Sequence, residues 1–386
     1  MKTMQPTLKN GRNVWDRINM PMAEFQERVK KIRKEMKKEG IDVLLLYSNA
    51  DEYGDPCYIT NFIVGIARGA LAIVPKKGEV ALIYQGPSRG VSFSKTTTWV
   101  DDVRTSGDVS KECVKYLKEK ELVPSTIGIT GMKQFMQSHQ FRFLSESLNR
   151  CKIVDCDPLL RKVRMIKTER ECDQIRRSSR ILTGAFDFIS GLSLSNMKEN
   201  VLEAMVNRET RLEGSEDFRM LIAKPMEPEW AFRPAEEALF SSGDRVILYL
   251  AVEFERYWAE AIRTFVVQDA SFLEVKPEAI MSLYEQMMNG LMPGKTVSKF
   301  YKETVGQIRK SNLDSIPRYG LGQGIGLGLE EFPLIAEREK EMLAKGLCLT
   351  LRLAIKDPEA GAVMIGNTLF LSENGPEVLT WHYRRR

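Results

Sequence analysis

Glycine occupies every second position from residue 320 to residue 328, within the segment Tyr319 to Pro333, YGLGQGIGLGLEEFP. Alternate glycines leave one face of an extended segment without side chains, so that a second backbone or a ligand can approach closely. The segment is a poor dinucleotide fingerprint, because that motif must follow a strand and open a helix, whereas this alternation runs on into Glu330. The pattern therefore predicts a close approach and leaves open whether it is made by a ligand or by a neighbouring strand.

Histidine is scarce, and the cysteines show no metal-binding pattern. The chain has two histidines, His139 and His382, which limits any mechanism that needs imidazole. Its six cysteines form neither a CxxC pair nor a regular framework, so the sequence indicates neither a zinc knuckle nor a disulfide scaffold.

Composition excludes several classes of protein. Of the 386 residues, 43% are hydrophobic and 28% are charged, which is typical of a folded globular chain. Lysine and arginine number 57 against 52 acidic residues, and a net charge of +5 does not require a nucleic-acid partner. No apolar run approaches the ~20 residues of a membrane-spanning helix, and the N-terminus lacks the apolar stretch of a secretion signal. We therefore expect a cytoplasmic protein that binds neither nucleic acid nor membrane.

The first half of the chain predicts a mixed sheet with covering helices. Apolar residues at helical spacing predict a helix from Met22 to Lys38 that ends at Gly40, and Ile41 to Tyr47 is typical of a buried strand. A second helix is predicted from Lys111 to Lys120. Further strands are predicted at Ala70 to Val74, Glu79 to Tyr84 and Thr126 to Ile129.

The pattern changes near residue 160, where we place the boundary between two domains, residues 1–160 and 161–386. Thr168 and Glu171 form a capping box that begins a long helix. Arg245 to Val267 predicts two strands joined by a turn near Glu255 and Arg256. The other predicted elements of this half are helices at Ser195 to Leu212 and Glu278 to Met288, the latter with Pro277 at its first position, and strands at Leu347 to Ile355 and Thr368 to Leu371.

Several ordered segments resemble the creatinase and aminopeptidase P family, the M24 pita-bread proteins. They are the strand pair GDRVILYLAVEFERYWAEAIRTF, the glycine-rich segment, the linker KTERECDQIRRSS, YITNF at residues 58–62 and the tail GNTLFLSENGPEVLT. The resemblance covers about residues 22 to 380. It implies an α/β (α+β) fold, with a creatinase-like N-terminal mixed-sheet domain followed by a pita-bread domain, and a homodimer.

Metal-dependent members of that family hold two divalent ions with two aspartates, a histidine and two glutamates, a set suited to activating a shared water. This chain differs at all five positions, which match Tyr249, Glu260, Gln323, Arg352 and Gly366. A permanently charged arginine at a ligand position would repel a metal ion. The resemblance therefore predicts a member that lacks the metal ligands, binds no cofactor and is not a Xaa-Pro peptidase.

The replacements could form a polar pocket. If the fold holds, we expect Glu260 and Arg352 on neighbouring strands as a bidentate pair, with Tyr249 and Gln323 lining the same cavity. Apolar residues would close such a core as well or better, so retaining polar groups favours a pocket that binds a small polar molecule.

Two functions are consistent with this pocket. The first is a metal-independent, creatinase-like enzyme that acts on a C–N bond of a small guanidino or amide metabolite. The alternative is a catalytically inactive M24 pseudo-peptidase that binds a small molecule or a protein. For the enzyme, the candidate residues carried over from the resemblance are Glu260, Glu330 and Tyr249 for catalysis and Gln323, Arg352, Arg233 and Glu331 for substrate binding.

Overall fold

The computed structural model describes residues 14–49, 52–64, 69–194, 196–225, 231–268, 271–311, 313–315, 319–357 and 361–380. These residues form two compact units, which divide between Arg164 and Met165. The cysteines are all free thiols. No described helix combines the length and apolar character that a bilayer crossing needs.

The first unit contains a mixed sheet, as the sequence predicts, and the sheet has six strands where the sequence predicts four. Its strands are β1 (Val43–Ser48), β2 (Ala70–Pro75), β3 (Ala81–Gln85), β4 (Asp102–Ser106), β5 (Thr126–Thr130) and β6 (Lys152–Asp155). Its helices are α1 (Met22–Glu39), α2 (Gly54–Thr60), α3 (Val91–Thr97), α4 (Val109–Glu119), α5 (Ser138–Ser147) and α6 (Asp157–Met165). The strand order is β4-β3-β2-β1-β5-β6, with antiparallel pairing among β1, β2 and β3 and parallel pairing elsewhere.

The second unit contains a ten-stranded sheet. Its strands are β7 (Asp217–Ala223), β8 (Arg245–Phe254), β9 (Tyr257–Gln268), β10 (Ser271–Glu274), β11 (Asp314–Ser315), β12 (Gln323–Gly324), β13 (Glu331–Leu334), β14 (Cys348–Asp357), β15 (Gly361–Ser372) and β16 (Gly375–Val378). Its helices are α7 (Glu169–Ser190), α8 (Glu199–Leu212), α9 (Glu278–Gly290) and α10 (Val297–Lys310). The main path runs β13-β12-β14-β15-β9-β8-β7, and every pairing along it is antiparallel.

Helices cover one face of this large sheet. Apolar side chains of β7, β8 and β9 pack with α7 and α8, and those of β14 and β15 pack with α9 and α10. Because side chains alternate along a strand, the residues between them point to the opposite side, which we call the inner face. The inner face carries Arg219, Tyr249, Trp258, Glu260, Thr350, Arg352, Gly366 and Thr368.

The turn between β8 and β9 sets the register of the inner face. Its two residues, Glu255 and Arg256, have positive φ angles of 46° and 72°, the conformation of a tight two-residue hairpin that glycine and asparagine usually adopt. The Glu216 carboxylate stabilises the turn, because it accepts hydrogen bonds from the backbone N–H of Arg256 at 2.8 Å and from Nη1 of the same arginine at 3.1 Å. The resulting register pairs Ala251 with Glu260, next to Tyr249 on the same face.

Candidate functional site

Glu260 is the centre of a buried polar cluster on the inner face. Its Oε1 accepts hydrogen bonds from Arg352, from Nε at 2.9 Å and also from Nη2. Its Oε2 accepts the Tyr249 hydroxyl at 2.8 Å. The three residues are at most 5% exposed. The predicted pair is therefore present, although both arginine donors meet one carboxylate oxygen rather than one oxygen each.

The two charged residues do not lie on neighbouring strands, and that part of the prediction is wrong. Glu260 lies on β9 and Arg352 on β14, with β15 between them. Two steps of about 4.8 Å separate strands so placed, a span that a long arginine side chain can cross. Gly366 of β15 pairs directly with Arg352 and has no side chain to stand in the way. A Cβ at Gly366 would instead meet the Ile262 side chain on β9, at 3.1 Å.

Burial and charge act in opposite directions on the cluster. Burial alone would raise the pKa of Glu260, but the charge of Arg352 and the hydrogen bonds from Arg352 and Tyr249 hold that pKa below its usual value. Burial lowers the pKa of Arg352, but the Glu260 charge and hydrogen bond, with smaller contributions from Tyr249 and Glu330, together outweigh burial, so the net direction is upward. Burial and the Glu260 charge together raise the pKa of Tyr249 well above its usual value. The cluster at neutral pH is a carboxylate, a guanidinium and a neutral phenol.

The lowered pKa of Glu260 predicts a specific loss of stability in acid. A depressed pKa contributes stability that is complete above the usual carboxyl pKa of 4.5 and disappears as pH falls through the lowered value. Urea unfolding of the native protein and of Glu260→Gln should therefore give a difference in unfolding free energy that is constant near neutrality and shrinks below about pH 4.5. A difference that does not change between pH 7 and pH 3 would show that Glu260 is not held ionised by Arg352.

Gln323 and Glu330 lie beside the cluster without joining it directly. Gln323 is buried, its backbone N–H donates to Thr350 Oγ1 at 3.2 Å, and its side-chain Nε2 donates to the Leu329 carbonyl at 3.4 Å. Glu330 is exposed. Its negative charge raises the pKa of Arg352, by less than the contributions of Glu260 and Tyr249. Their assignments to substrate binding and catalysis stay predictions.

Arg233 and Glu331 have other partners. Arg233 forms a two-oxygen ion pair with the fully buried Glu199 of α8, with Nη1 and Nη2 at 2.6 and 3.0 Å from its carboxylate. Glu331 pairs with Lys167 at 2.7 Å and also accepts the backbone N–H of Gly328 at 2.9 Å. These contacts brace the loop after β7 and the glycine-rich segment, and the predicted role of both residues in substrate binding stays a prediction.

The glycine-rich segment packs closely against backbone. A Cβ at Gly322 would lie 1.9 Å from the Thr350 carbonyl oxygen, and one at Gly324 would lie 2.3 Å from that of Phe332. The close approach that the alternation predicts is therefore made at these two positions by neighbouring strands.

Sequence reasoning missed two features beside the cluster. Arg219 lies over the Trp258 ring at 4.8 Å from its centroid, and Phe232 meets the Tyr249 ring edge to face at 6.2 Å. Residues 217–220, DFRM, alternate polar residues with buried apolar ones and could have revealed the start of β7 and the inward position of Arg219. No sequence signal marks the place of Phe232.

Within the described ranges, no three histidine, cysteine, aspartate or glutamate side chains lie close enough together to bind a metal ion. His139 is exposed on α5 in the first unit, and His382 lies outside the described residues.

Comparison with known proteins finds relatives along nearly the whole chain. The Xaa-Pro dipeptidase of Pyrococcus horikoshii is 24% identical over 365 residues, covering 93% of this chain and 98% of that protein. The Xaa-Pro dipeptidase of Pyrococcus furiosus is 22% identical over 359 residues, covering 92% and 98%. The crystal structure of the prolidase from Pyrococcus horikoshii OT3 has a TM-score of 0.73 at 22% identity, covering 93% of this chain and 99% of that one.

These relatives correct the functional prediction. The sequence predicted a creatinase-like enzyme that acts on a small guanidino or amide metabolite and is not a Xaa-Pro peptidase. That interpretation is wrong, because the similar proteins are Xaa-Pro dipeptidases by sequence and prolidases by structure. The similarity includes the strands that carry the five changed ligand positions, because the family match runs over residues 173–373.

The predicted fold is confirmed by the same comparisons. Residues 28–166 match the Creatinase/Prolidase N-terminal domain, and residues 173–373 match Metallopeptidase family M24. The second match includes the inner-face cluster and every strand from β7 to β14. The chain therefore belongs to metallopeptidase family M24, with a Creatinase/Prolidase N-terminal domain ahead of its pita-bread domain.

Proposed function

We propose that this protein binds Xaa-Pro peptides on the inner face of its pita-bread domain, at a site where an ion pair replaces two metal ions. The relatives support the ligand class, since two of them are Xaa-Pro dipeptidases matched over 98% of their length. The observation that carries the rest is the buried contact of Arg352 with Glu260, at positions that hold metal ligands in metal-dependent members.

The residues at this site do not fit two divalent ions. Metals of the Mn, Co or Zn type take carboxylate, imidazole or thiolate ligands, and the cluster offers a single carboxylate. Both oxygens of that carboxylate already accept hydrogen bonds, from Arg352 and from Tyr249. An ion placed there would also meet the permanent positive charge of Arg352. Peptide binding at this site therefore has to rest on hydrogen bonding and packing.

Calorimetry with the dipeptide Ala-Pro tests the proposal. We expect saturable binding of Ala-Pro with the same dissociation constant in EDTA and in added Mn²⁺, and weaker binding of Ala-Gly, which lacks the proline ring. Release of proline, followed by chromatography, should not increase when Mn²⁺ is added. Elemental analysis of protein purified without added metal should find no stoichiometric Mn, Co or Zn.

The two parts of the proposal can fail separately. Absence of Ala-Pro binding would contradict the ligand class, whatever the metal content. Two metals per chain together with proline release that depends on Mn²⁺ would contradict the replacement of the metal centre. The Xaa-Pro dipeptidase of Pyrococcus horikoshii, assayed alongside, is the positive control for proline release.

A further inference from the structure

Among the described residues, two buried arginines lie on strands of the large sheet, and they differ in how many donors they use. Arg263 has Nη1 bonded to the carbonyls of Ile262 and Gly366 at 2.8 and 2.7 Å. Its Nη2 donates to Asn367 Oδ1 and to the Thr380 carbonyl at 2.8 and 2.7 Å. Arg263 is 8% exposed, and four protein oxygens take up its two amino groups. This is the usual state of a buried guanidinium, because an unbonded buried donor is costly.

Arg352 is as deeply buried and is satisfied on one side only. It is 5% exposed, and its Nε and Nη2 both donate to Glu260. Its Nη1 donates to no residue that the structure describes, and it is not among the enclosed, unsatisfied side-chain atoms. Nη1 is therefore the guanidinium nitrogen that is left to bind a ligand, since Nε and Nη2 are both used on Glu260.

The free amino group is held in a fixed orientation. Glu260 Oε1 accepts hydrogen bonds along the other edge of the planar guanidinium, and the Tyr249 hydroxyl donates to Glu260 Oε2. A planar donor fixed in this way loses little conformational entropy when it binds an acceptor. The aromatic ring of Phe232 meets the Tyr249 ring edge to face at 6.2 Å and adds an apolar edge to the cluster.

The charges around Arg352 select a neutral acceptor over an anion. Glu260 already neutralises the guanidinium, and Glu330 adds a second negative charge. The other cation beside the cluster, Arg219, is paired with Asp217 at 3.4 Å. An incoming carboxylate would meet no net positive charge there, whereas a carbonyl oxygen accepts a hydrogen bond without repulsion. In a peptide, the amide carbonyl is the acceptor of this kind.

We propose that Nη1 of Arg352 binds the carbonyl oxygen of the Xaa-Pro peptide bond, an inference that rests on the peptide binding proposed above. Arg352 thus occupies the metal position and provides the polar contact that fixes the peptide. The proposal concerns recognition of the ligand, and it assigns Arg352 no part in bond cleavage.

Replacing one atom of the ligand tests this contact. Thioxo-Ala-Pro carries sulfur in place of the carbonyl oxygen, and sulfur is a weak acceptor. We expect the native protein to bind it about tenfold more weakly than Ala-Pro, which corresponds to about 1.4 kcal/mol. Arg352→Lys keeps a positive charge for Glu260 but lacks the planar fork, so it should bind both ligands weakly and with a ratio near one.

Further variants separate the contact from general disturbance of the fold. Glu260→Gln/Arg352→Gln removes both charges together and should also give a ratio near one. Arg263→Lys, on the opposite face, should keep the tenfold ratio. Circular dichroism spectra and unfolding midpoints establish that each variant is folded before its ligand affinities are compared.

Three results would overturn the assignment. The first is equal binding of the two ligands by the native protein, and the second is a tenfold ratio that persists in both Arg352 variants. The third is loss of binding when the C-terminal carboxylate of Ala-Pro is amidated, because Arg352 would then bind a carboxylate. If the native protein binds no Ala-Pro at all, the proposed function fails and this inference fails with it.

Discussion

Arg352→Met should destabilise the protein by about 3–5 kcal/mol, because it leaves the Glu260 carboxylate buried without its partner. Glu260 is 2% exposed, so water cannot replace the guanidinium without opening the sheet. Burial would then raise the pKa of Glu260 instead of Arg352 holding it down. The deficit should therefore be largest at neutral pH and should shrink as pH falls and Glu260 takes up a proton. Urea unfolding at several pH values measures it.

The matched control removes both charges at once. Glu260→Leu/Arg352→Met should recover most of the lost stability, since apolar residues of similar volume often replace a buried ion pair without cost. If the single variant is as stable as the native protein at neutral pH, the Glu260 to Arg352 contact does not exist in solution. If the double variant is as unstable as the single one, packing around Arg352 is responsible for the loss and its charge is not.

The ion pair shows what the sequence could predict about the site and what it could not. Residue types at aligned positions indicated that a carboxylate and a guanidinium would meet, and they do. The strand between them was not predicted, because strand order depends on which segments pair across long stretches of chain. In the sequence, Gly366 was only a position where a metal ligand is missing. In the sheet, it is the residue of β15 that pairs directly with Arg352, on the strand between Arg352 and Glu260.

The elements themselves follow local chemistry closely where a cap or turn marks them. Gly40 ends α1 with a φ of 67°, and the Thr168 capping box begins α7. Without such a marker the bounds shift: the helix predicted from Ser195 begins at Glu199, and Pro277 is the N-cap of α9 rather than its first helical residue. The homodimer and the cytoplasmic location stay predictions, because they depend on surfaces and partners that local sequence does not specify.

The glycine-rich segment leads to the second large effect. Gly322→Ala should destabilise the protein by about 3–5 kcal/mol, at the upper end for one substitution, because two costs act together. Gly322 has a φ of 134°, a region that residues with a Cβ rarely adopt, and its Cβ would lie 1.9 Å from the Thr350 carbonyl oxygen. That oxygen belongs to the backbone of β14 and cannot rotate away as a side chain could. Thermal and urea unfolding measure the loss.

Gly320→Ala is the matched control within the same repeat. Gly320 also has a positive φ, 64°, but among the described residues nothing lies within 4 Å of a Cβ placed there. It should cost only the conformational strain of about 1–2 kcal/mol. Equal losses of stability at the two positions would mean that these glycines are needed only for their positive φ angles. A larger loss at Gly322 would show that the glycines are needed for the approach to Thr350, two residues from Arg352 on the strand that carries the site.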